Sequence, residues 1–214
     1  MGVEQDGAVG HVGGSEKGQS RGDPGGDHTA DFADVPPNHW AWSWIERLAQ
    51  AGVTNGCSLL NYCPENFVTR AEMAKFLLKG KHGGGYMPPA ATSVFSDVPT
   101  TYWAADWIGQ LYQEGITTGC AMDPLRYCPD SNVTRAEMAK FLLRAKYGST
   151  YTPPAVGTST GFTDVPTSFW AAAWIKQLAA EGITSGCGGG LYCPDQPVTR
   201  AEMAKFLVIT FNLP

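Results

Sequence analysis

The sequence predicts a mainly α-helical protein built from three helix–loop–helix repeats behind an extended Gly-rich N-terminal arm. Three observations carry that reading. One pattern occurs three times, opening at Phe32, Phe95 and Phe162 with spacings of 63 and 67 residues, and long internal periods mark chains whose units bury their faces against one another. Each copy closes on Val-Thr-Arg-Ala-Glu-Met-Ala-Lys-Phe-Leu, which begins with a helix-capping signature. The six cysteines fall as one close pair per copy. The chain accordingly divides into an arm (1–31), a first repeat (32–80), a linker (81–94), a second repeat (95–145), a second linker (146–161) and a third repeat (162–214).

Residues 1–31 are rich in glycine and poor in large apolar side chains, a composition that predicts a flexible arm. They contain no apolar h-region and are not a signal peptide. The chain as it stands therefore begins after processing or is part of a longer one.

The first helix of each repeat is expected to start just after a short polar side chain, Asn38, Thr101 or Ser168, two residues before the leading tryptophan. Each of these side chains can accept a hydrogen bond from a first-turn amide. Trp40, Trp44, Ile45 and Leu48 then share one helical face, as do Trp103, Trp107, Ile108 and Leu111, and Trp170, Trp174, Ile175 and Leu178. Gly52, Gly115 and Gly182 stand where the chain leaves the helix in a left-handed conformation.

The loop that follows holds Cys57 and Cys63, Cys120 and Cys128, or Cys187 and Cys193, in the frame Gly-Cys, a few residues, Tyr-Cys-Pro. Even counts in close pairs read as local disulfides and an oxidising compartment. Zinc is the rival reading, but its ligand spacers are usually two to four residues, and none of His11, His28, His39 and His82 recurs beside the cysteines. Closing loops of seven to nine residues contributes roughly 2.4 to 2.6 kcal/mol each on the chain-entropy model, and hardens segments too polar to be held by a core.

The second helix opens with Thr-Arg-Ala-Glu at Thr69–Glu72, Thr134–Glu137 and Thr199–Glu202. A threonine with a glutamate three positions on is a capping box, in which each side chain satisfies a backbone amide of the other. Met73, Phe76, Leu77 and their counterparts supply a second apolar face. A single unit of this size is marginal alone, so the three are expected to pack around a shared axis. The linkers share a Tyr-x-Pro-Pro element that reads as a semi-rigid spacer.

Composition excludes several functions. With a formal net charge of −5 the chain does not suit a protein that binds nucleic acid by neutralising phosphates. No apolar run approaches the length of a membrane span. No nucleophile–base–orienter set recurs or clusters, so an enzyme is not expected. No oxygen-rich loop has EF-hand spacing, and no metal or cofactor is expected.

The combination Phe-x-Asp-Val-Pro-x-x-x-Trp-Ala, Gly-Val/Ile-Thr-x-Gly and Thr-Arg-Ala-Glu-Met-Ala, three times over residues 32 to 211, resembles S-layer homology domains. The resemblance implies an extracellular, cell-surface protein whose triplet forms a pseudo-threefold helical spindle. It also implies grooves that bind cell-wall polysaccharide, often pyruvylated, or peptidoglycan-linked glycan, and so anchor the chain at the envelope. Arg70, Arg135 and Arg200 stand at the first turn of the second helices, where the dipole and free amides favour an anion, and a guanidinium there can pair with a pyruvate-acetal carboxylate. Trp40, Trp103 and Trp170 offer rings for a sugar face or staples for the core. Asp34, Asp97 and Asp164 can accept from sugar hydroxyls or from nearby backbone. Glu72, Glu137 and Glu202 read as capping residues. One departure from the family pattern is the loop before Tyr-Cys-Pro, here trimmed and bridged by cysteines. A second function, a structural subunit polymerising into a surface layer, filament or tube with residues 1–31 laid along the next copy, also fits the chain.

Overall fold

The computed structural model describes residues 32–214, and the expected arm lies outside them. The described residues are mainly helical: α1 Trp42–Gln50, α2 Arg70–His82, α3 Ala105–Gln113, α4 Arg135–Tyr147, α5 Ala172–Ala180 and α6 Arg200–Phe211. A minimal antiparallel hairpin, β1 Ala121–Met122 with β2 Leu125–Arg126, lies in the second cysteine loop.

The short helices α1, α3 and α5 begin later than expected. Their N-caps are Ala41, Ala104 and Ala171, with no side-chain hydrogen bond, while Asn38, Thr101 and Ser168 are exposed. The reason is a pair of turns after each Val-Pro. His39 N donates to Pro36 O at 2.8 Å and Trp42 N to His39 O at 3.0 Å, with the same arrangement at Pro99 and Pro166. Backbone carbonyls thus take amides that a polar cap would otherwise satisfy. The later start also removes the leading tryptophans from the core face. Ile45, Leu48 and their equivalents are fully buried, Trp107 is buried, Trp44 and Trp174 half-buried, and Trp40, Trp103 and Trp170 are 55%, 56% and 55% exposed. Gly52, Gly115 and Gly182 adopt φ of 69°, 66° and 69° and end the helices as expected.

The long helices α2, α4 and α6 open with complete capping boxes at Thr69/Glu72, Thr134/Glu137 and Thr199/Glu202. They bury Met73, Phe76, Leu77 and their counterparts, and all three pack on one another. Their N-terminal approaches are joined in a closed triangle. Val68 N donates to Val198 O, Val198 N to Val133 O, and Val133 N to Val68 O, each at 2.9 Å. These valines are fully buried, so the triangle satisfies backbone groups that water cannot reach.

Each short helix packs on the long helix of the preceding repeat: α3 on α2, α5 on α4, and α1 on α6. The last pairing closes the ring, reinforced by Arg47, whose Nη2 and Nε donate to Leu213 O at 2.6 Å and Pro214 O at 2.8 Å. The result is a pseudo-threefold spindle in which no helix pair is made within one repeat. The linker tyrosines join in: Tyr86 and Tyr151 lie edge-on to Trp107 and Trp174.

Cys57–Cys63, Cys120–Cys128 and Cys187–Cys193 are disulfides, each with Cα atoms 6.0 Å apart. Asp97, Cys120 and Cys128 bring possible ligand atoms within 4.8 Å of one another, but sulfur held in a disulfide offers no thiolate to a metal.

Candidate functional site

The three arginines are not on the surface. Arg70, Arg135 and Arg200 are buried, each in the loop of the next repeat round the ring. Arg70 Nε donates to Tyr127 O at 2.8 Å and its Nη1 to Glu137 Oε1 at 2.8 Å. Arg135 treats Tyr192 O and Glu202 alike, at 2.8 and 2.5 Å. Arg200 donates to Tyr62 O at 2.8 Å, with Glu72 at 3.5 Å from Nη1. The guanidinium carbons lie over rings, Arg70 on Tyr127 and Phe141, Arg135 on Tyr192 and Phe206, Arg200 on Tyr62 and Phe76. The tyrosines reciprocate, since the hydroxyls of Tyr127, Tyr192 and Tyr62 donate to the backbone oxygens of Arg70, Arg135 and Arg200. Burial pushes all three phenols well above their ordinary range, and the adjacent guanidiniums only partly oppose it.

The expectation of free amides at these helix starts is corrected by the same contacts. Arg70 N and Ala71 N donate to Ser131 O and Pro129 O of the neighbouring cysteine loop, Arg135 N and Ala136 N to Gln196 O and Pro194 O, and Arg200 N and Ala201 N to Asn66 O and Pro64 O. Backbone of the next repeat occupies the position an anion would take. The glutamates have two tasks. In Glu72, Glu137 and Glu202 one carboxylate oxygen accepts from the threonine amide of the capping box, and the other faces the arginine.

Asp34, Asp97 and Asp164 are committed to backbone. Tyr62 N and Cys63 N donate to the two oxygens of Asp34 at 2.8 and 2.7 Å, and the other two repeats copy this. Cys63, Cys128 and Cys193 have φ of 59°, 57° and 58°, and two successive amides beside a left-handed residue form a nest for a carboxylate. At Asp97 burial alone raises the pKa, but amides of Tyr127 and Cys128 and the charge of Arg126 together hold it below the usual value. Each oxygen thus accepts from a backbone amide, and the aspartates fix the loop.

What remains open is one nitrogen per arginine. Nη2 of Arg70, Arg135 and Arg200 is buried and has no hydrogen-bond partner among the described residues. An unsatisfied buried donor of this kind costs about 1–3 kcal/mol, and it recurs three times. Arg200 lines a cavity of about 150 Å³ with Thr54, Asn55, Glu72, Lys75, Phe76, Lys79 and Trp103. Arg70 lines one of about 140 Å³ with Thr117, Thr118, Glu137, Lys140, Phe141 and Trp170. Each cavity is assembled from all three repeats: the Gly-Val/Ile-Thr-x-Gly loop and long helix of one, the leading tryptophan of the next, and the arginine of the one before. The equivalent positions of the third groove are Thr184, Glu202, Lys205, Phe206, Arg135 and Trp40.

Two cavity components were absent from the sequence-based set. One is the loop, whose buried Thr54, Thr117 and Thr184 fix the turn by accepting from Gly56 N, Gly119 N and Gly186 N. The other is the lysine at Lys75, Lys140 and Lys205. A charged residue repeated three times within an otherwise apolar helical string was the available signal. Burial lowers the pKa of Lys140, with Arg144 adding to the effect, and lowers that of Lys79, with Lys75 adding to it.

The S-layer homology domain model matches residues 31–74 and 161–204. The chain belongs to the S-layer homology family. Its middle repeat carries the same Thr-Arg-Ala-Glu-Met-Ala string. The exoglucanase XynX of Acetivibrio thermocellus is 31% identical over 177 residues, 82% of this chain and 16% of that protein. An S-layer protein of Bacillus licheniformis is 28% identical over 84% of this chain and 20% of its own length. Cell surface glycoprotein 1 of A. thermocellus is 29% identical over 69% of this chain and 6% of its own length. The chain thus spans a fifth or less of the length of these relatives. Family and relatives together place this S-layer homology protein at the cell surface. No helix among the described residues is long and apolar enough to cross a membrane.

Proposed function

We propose that the triplet is a non-catalytic anchor whose grooves bind a carboxylate-bearing glycan of the cell wall, pyruvylated polysaccharide or a peptidoglycan-linked chain. The observation that carries this reading is the unpartnered, buried Nη2 of Arg200 and of Arg70, each arginine lining a groove with an exposed tryptophan and a lysine, and the equally unpartnered Nη2 of Arg135. A carboxylate oxygen accepting from Nη2 would form a charge-assisted hydrogen bond without displacing the arginine from its tyrosine carbonyl or glutamate. The tryptophan offers an apolar face to a sugar ring, Phe76 or Phe141 forms the floor, and the lysine attracts the anion. The carboxylates lining these grooves, Glu72 and Glu137, are engaged as caps and ion-pair partners, which leaves no acid–base pair there for hydrolysis. An acidic protein then holds an acidic polymer through local charge. The three repeats, 32–80, 95–145 and 162–214, act as one binding unit because each groove draws on all of them.

The test uses the exposed side chains, since replacing the buried arginines perturbs the fold. Sedimentation with purified cell walls should fall sharply for a Trp40→Ala, Trp103→Ala, Trp170→Ala triple variant, with thermal stability unchanged. Mild acid treatment of the walls, which removes ketal-linked pyruvate, should have the same effect on the unaltered chain. Full retention in both arms refutes the reading.

A further inference from the structure

The three grooves are related by sequence, and among their differences one charged position and one distance rank them in the same order. The position is the tenth residue of each long helix, Lys79, Arg144 or Ile209. Lys79 lines its groove together with Lys75. Its Nζ donates to Gly52 O at 3.0 Å, which uses one of three ammonium protons and leaves two. Arg144 makes the equivalent contact, Nη1 3.4 Å from Gly115 O, but its guanidinium lies over the Trp174 ring and it does not line the groove of Lys140. Ile209 carries no charge and packs half-buried on the core. The distance is that between the groove arginine and its glutamate: 3.5 Å for Arg200–Glu72, 2.8 Å for Arg70–Glu137 and 2.5 Å for Arg135–Glu202. A closer carboxylate neutralises more of the field an incoming anion meets.

We infer that the grooves are graded sites for the same carboxylate-bearing sugar: strongest at Lys75–Lys79 and Arg200, intermediate at Lys140 and Arg70, and weakest at Lys205 and Arg135. The inference rests on the glycan reading above. Its consequence is that the chain engages a polymer first through one groove and then adds the others as local ligand density rises, so that avidity depends on the spacing of carboxylates along the glycan.

Each groove carries its own reporter, because Trp103, Trp170 and Trp40 supply one indole N–H to each. The full chain, labelled with ¹⁵N-tryptophan and with indole signals assigned by single Trp→Phe changes, would be titrated with a methyl hexoside bearing a pyruvate ketal, and in parallel with the unsubstituted methyl hexoside. The Trp103 signal should respond first, the Trp170 signal next and the Trp40 signal last, with roughly tenfold between first and last, the scale of one added charge-assisted contact at a part-solvated site. Lys79→Gln should move the Trp103 midpoint up by about that factor while the other two stay in place, and Lys79→Arg should restore much of it. Ile209→Lys should lower the Trp40 midpoint, a gain that damage to the fold cannot mimic. Coincident midpoints in the unaltered chain overturn the grading, as does a Lys79→Gln change that shifts all three signals together. Equal responses to the ketal and the unsubstituted sugar, or none to either, overturn the glycan reading itself and the grading with it.

Discussion

Replacing Arg135 by methionine isolates what the buried arginine ring contributes to the fold. Methionine is unbranched and fills much of the stem's volume between Tyr192 and Phe206, so the change removes the guanidinium without opening a large cavity. Two charge-assisted hydrogen bonds go, to Tyr192 O at 2.8 Å and to Glu202 at 2.5 Å, at about 1.5–3 kcal/mol each. Two terms offset this. Glu202 is 28% exposed and keeps its bond to Thr199 N, so its released oxygen is partly rehydrated. The unsatisfied Nη2 donor also disappears, which returns about 1–3 kcal/mol. The net is a loss of about 2–3 kcal/mol, or roughly 5–10 °C in melting temperature for a domain of this size. Thermal unfolding followed by circular dichroism at neutral pH measures it, with Trp40→Ala as the exposed comparison, expected to stay within about 0.5 kcal/mol. Adding Glu202→Gln to both backgrounds completes a double-mutant cycle. A melting shift under about 2 °C for Arg135→Met would mean that desolvation cancels the hydrogen bonds, and the ring would then be a device for the ligand with no part in stability.

Three further outcomes are expected. The phenols of Tyr62, Tyr127 and Tyr192 are raised in the folded state by burial, so their contribution is intact below the unfolded value near pH ~10 and is lost as pH rises beyond it; urea midpoints should hold from about pH 8 and fall steeply above about pH 10, and a flat profile would contradict the buried ring. Removing the Cys120–Cys128 disulfide as a double serine variant should cost about 2–3 kcal/mol in chemical denaturation, and dithiothreitol should shift the unaltered chain by more, since it opens three such loops. Thr134→Ala removes the acceptor for Glu137 N at 3.2 Å and should cost about 1 kcal/mol, whereas Thr101→Ala, at the position that does not cap, should leave the melting temperature unchanged.

The features that could be read from the sequence are those made within a few residues. The capping boxes, the left-handed glycines, the cysteine pairs and the apolar faces all rest on spacings of three to eight, and the chain states them three times. The start of the short helices was misplaced because two successive turns after Val-Pro let carbonyls do the work of a polar cap, and no side chain signals that. The arginines were found by motif, but their burial was not, because it depends on a tyrosine carbonyl and a glutamate 57 and 67 positions away. The aspartates illustrate the same limit: Asp34 meets the amides of Tyr62 and Cys63 only when the loop closes back on the repeat's first turn. The pairing of α1 with α6 joins opposite ends of the described chain, and no local pattern encodes it.

The exchange of helices and arginines between repeats makes the grooves and the fold one construction. The first cavity takes Lys75 from one repeat, Trp103 from the next and Arg200 from the third. The same Arg200 is stacked on Tyr62 and bonded to its carbonyl, and the Tyr62 amide is held by Asp34. A groove therefore forms only when the ring closes, and closing it leaves one guanidinium nitrogen buried without a partner at each of three equivalent places. Had stability been the sole requirement, that nitrogen would be expected to have a partner, because an unsatisfied buried donor costs about 1–3 kcal/mol. An arginine bonded through Nε and faced by a glutamate at Nη1, with Nη2 left open, three times in one chain, is the arrangement expected if the fold holds the guanidinium rigid so that an anion can complete it.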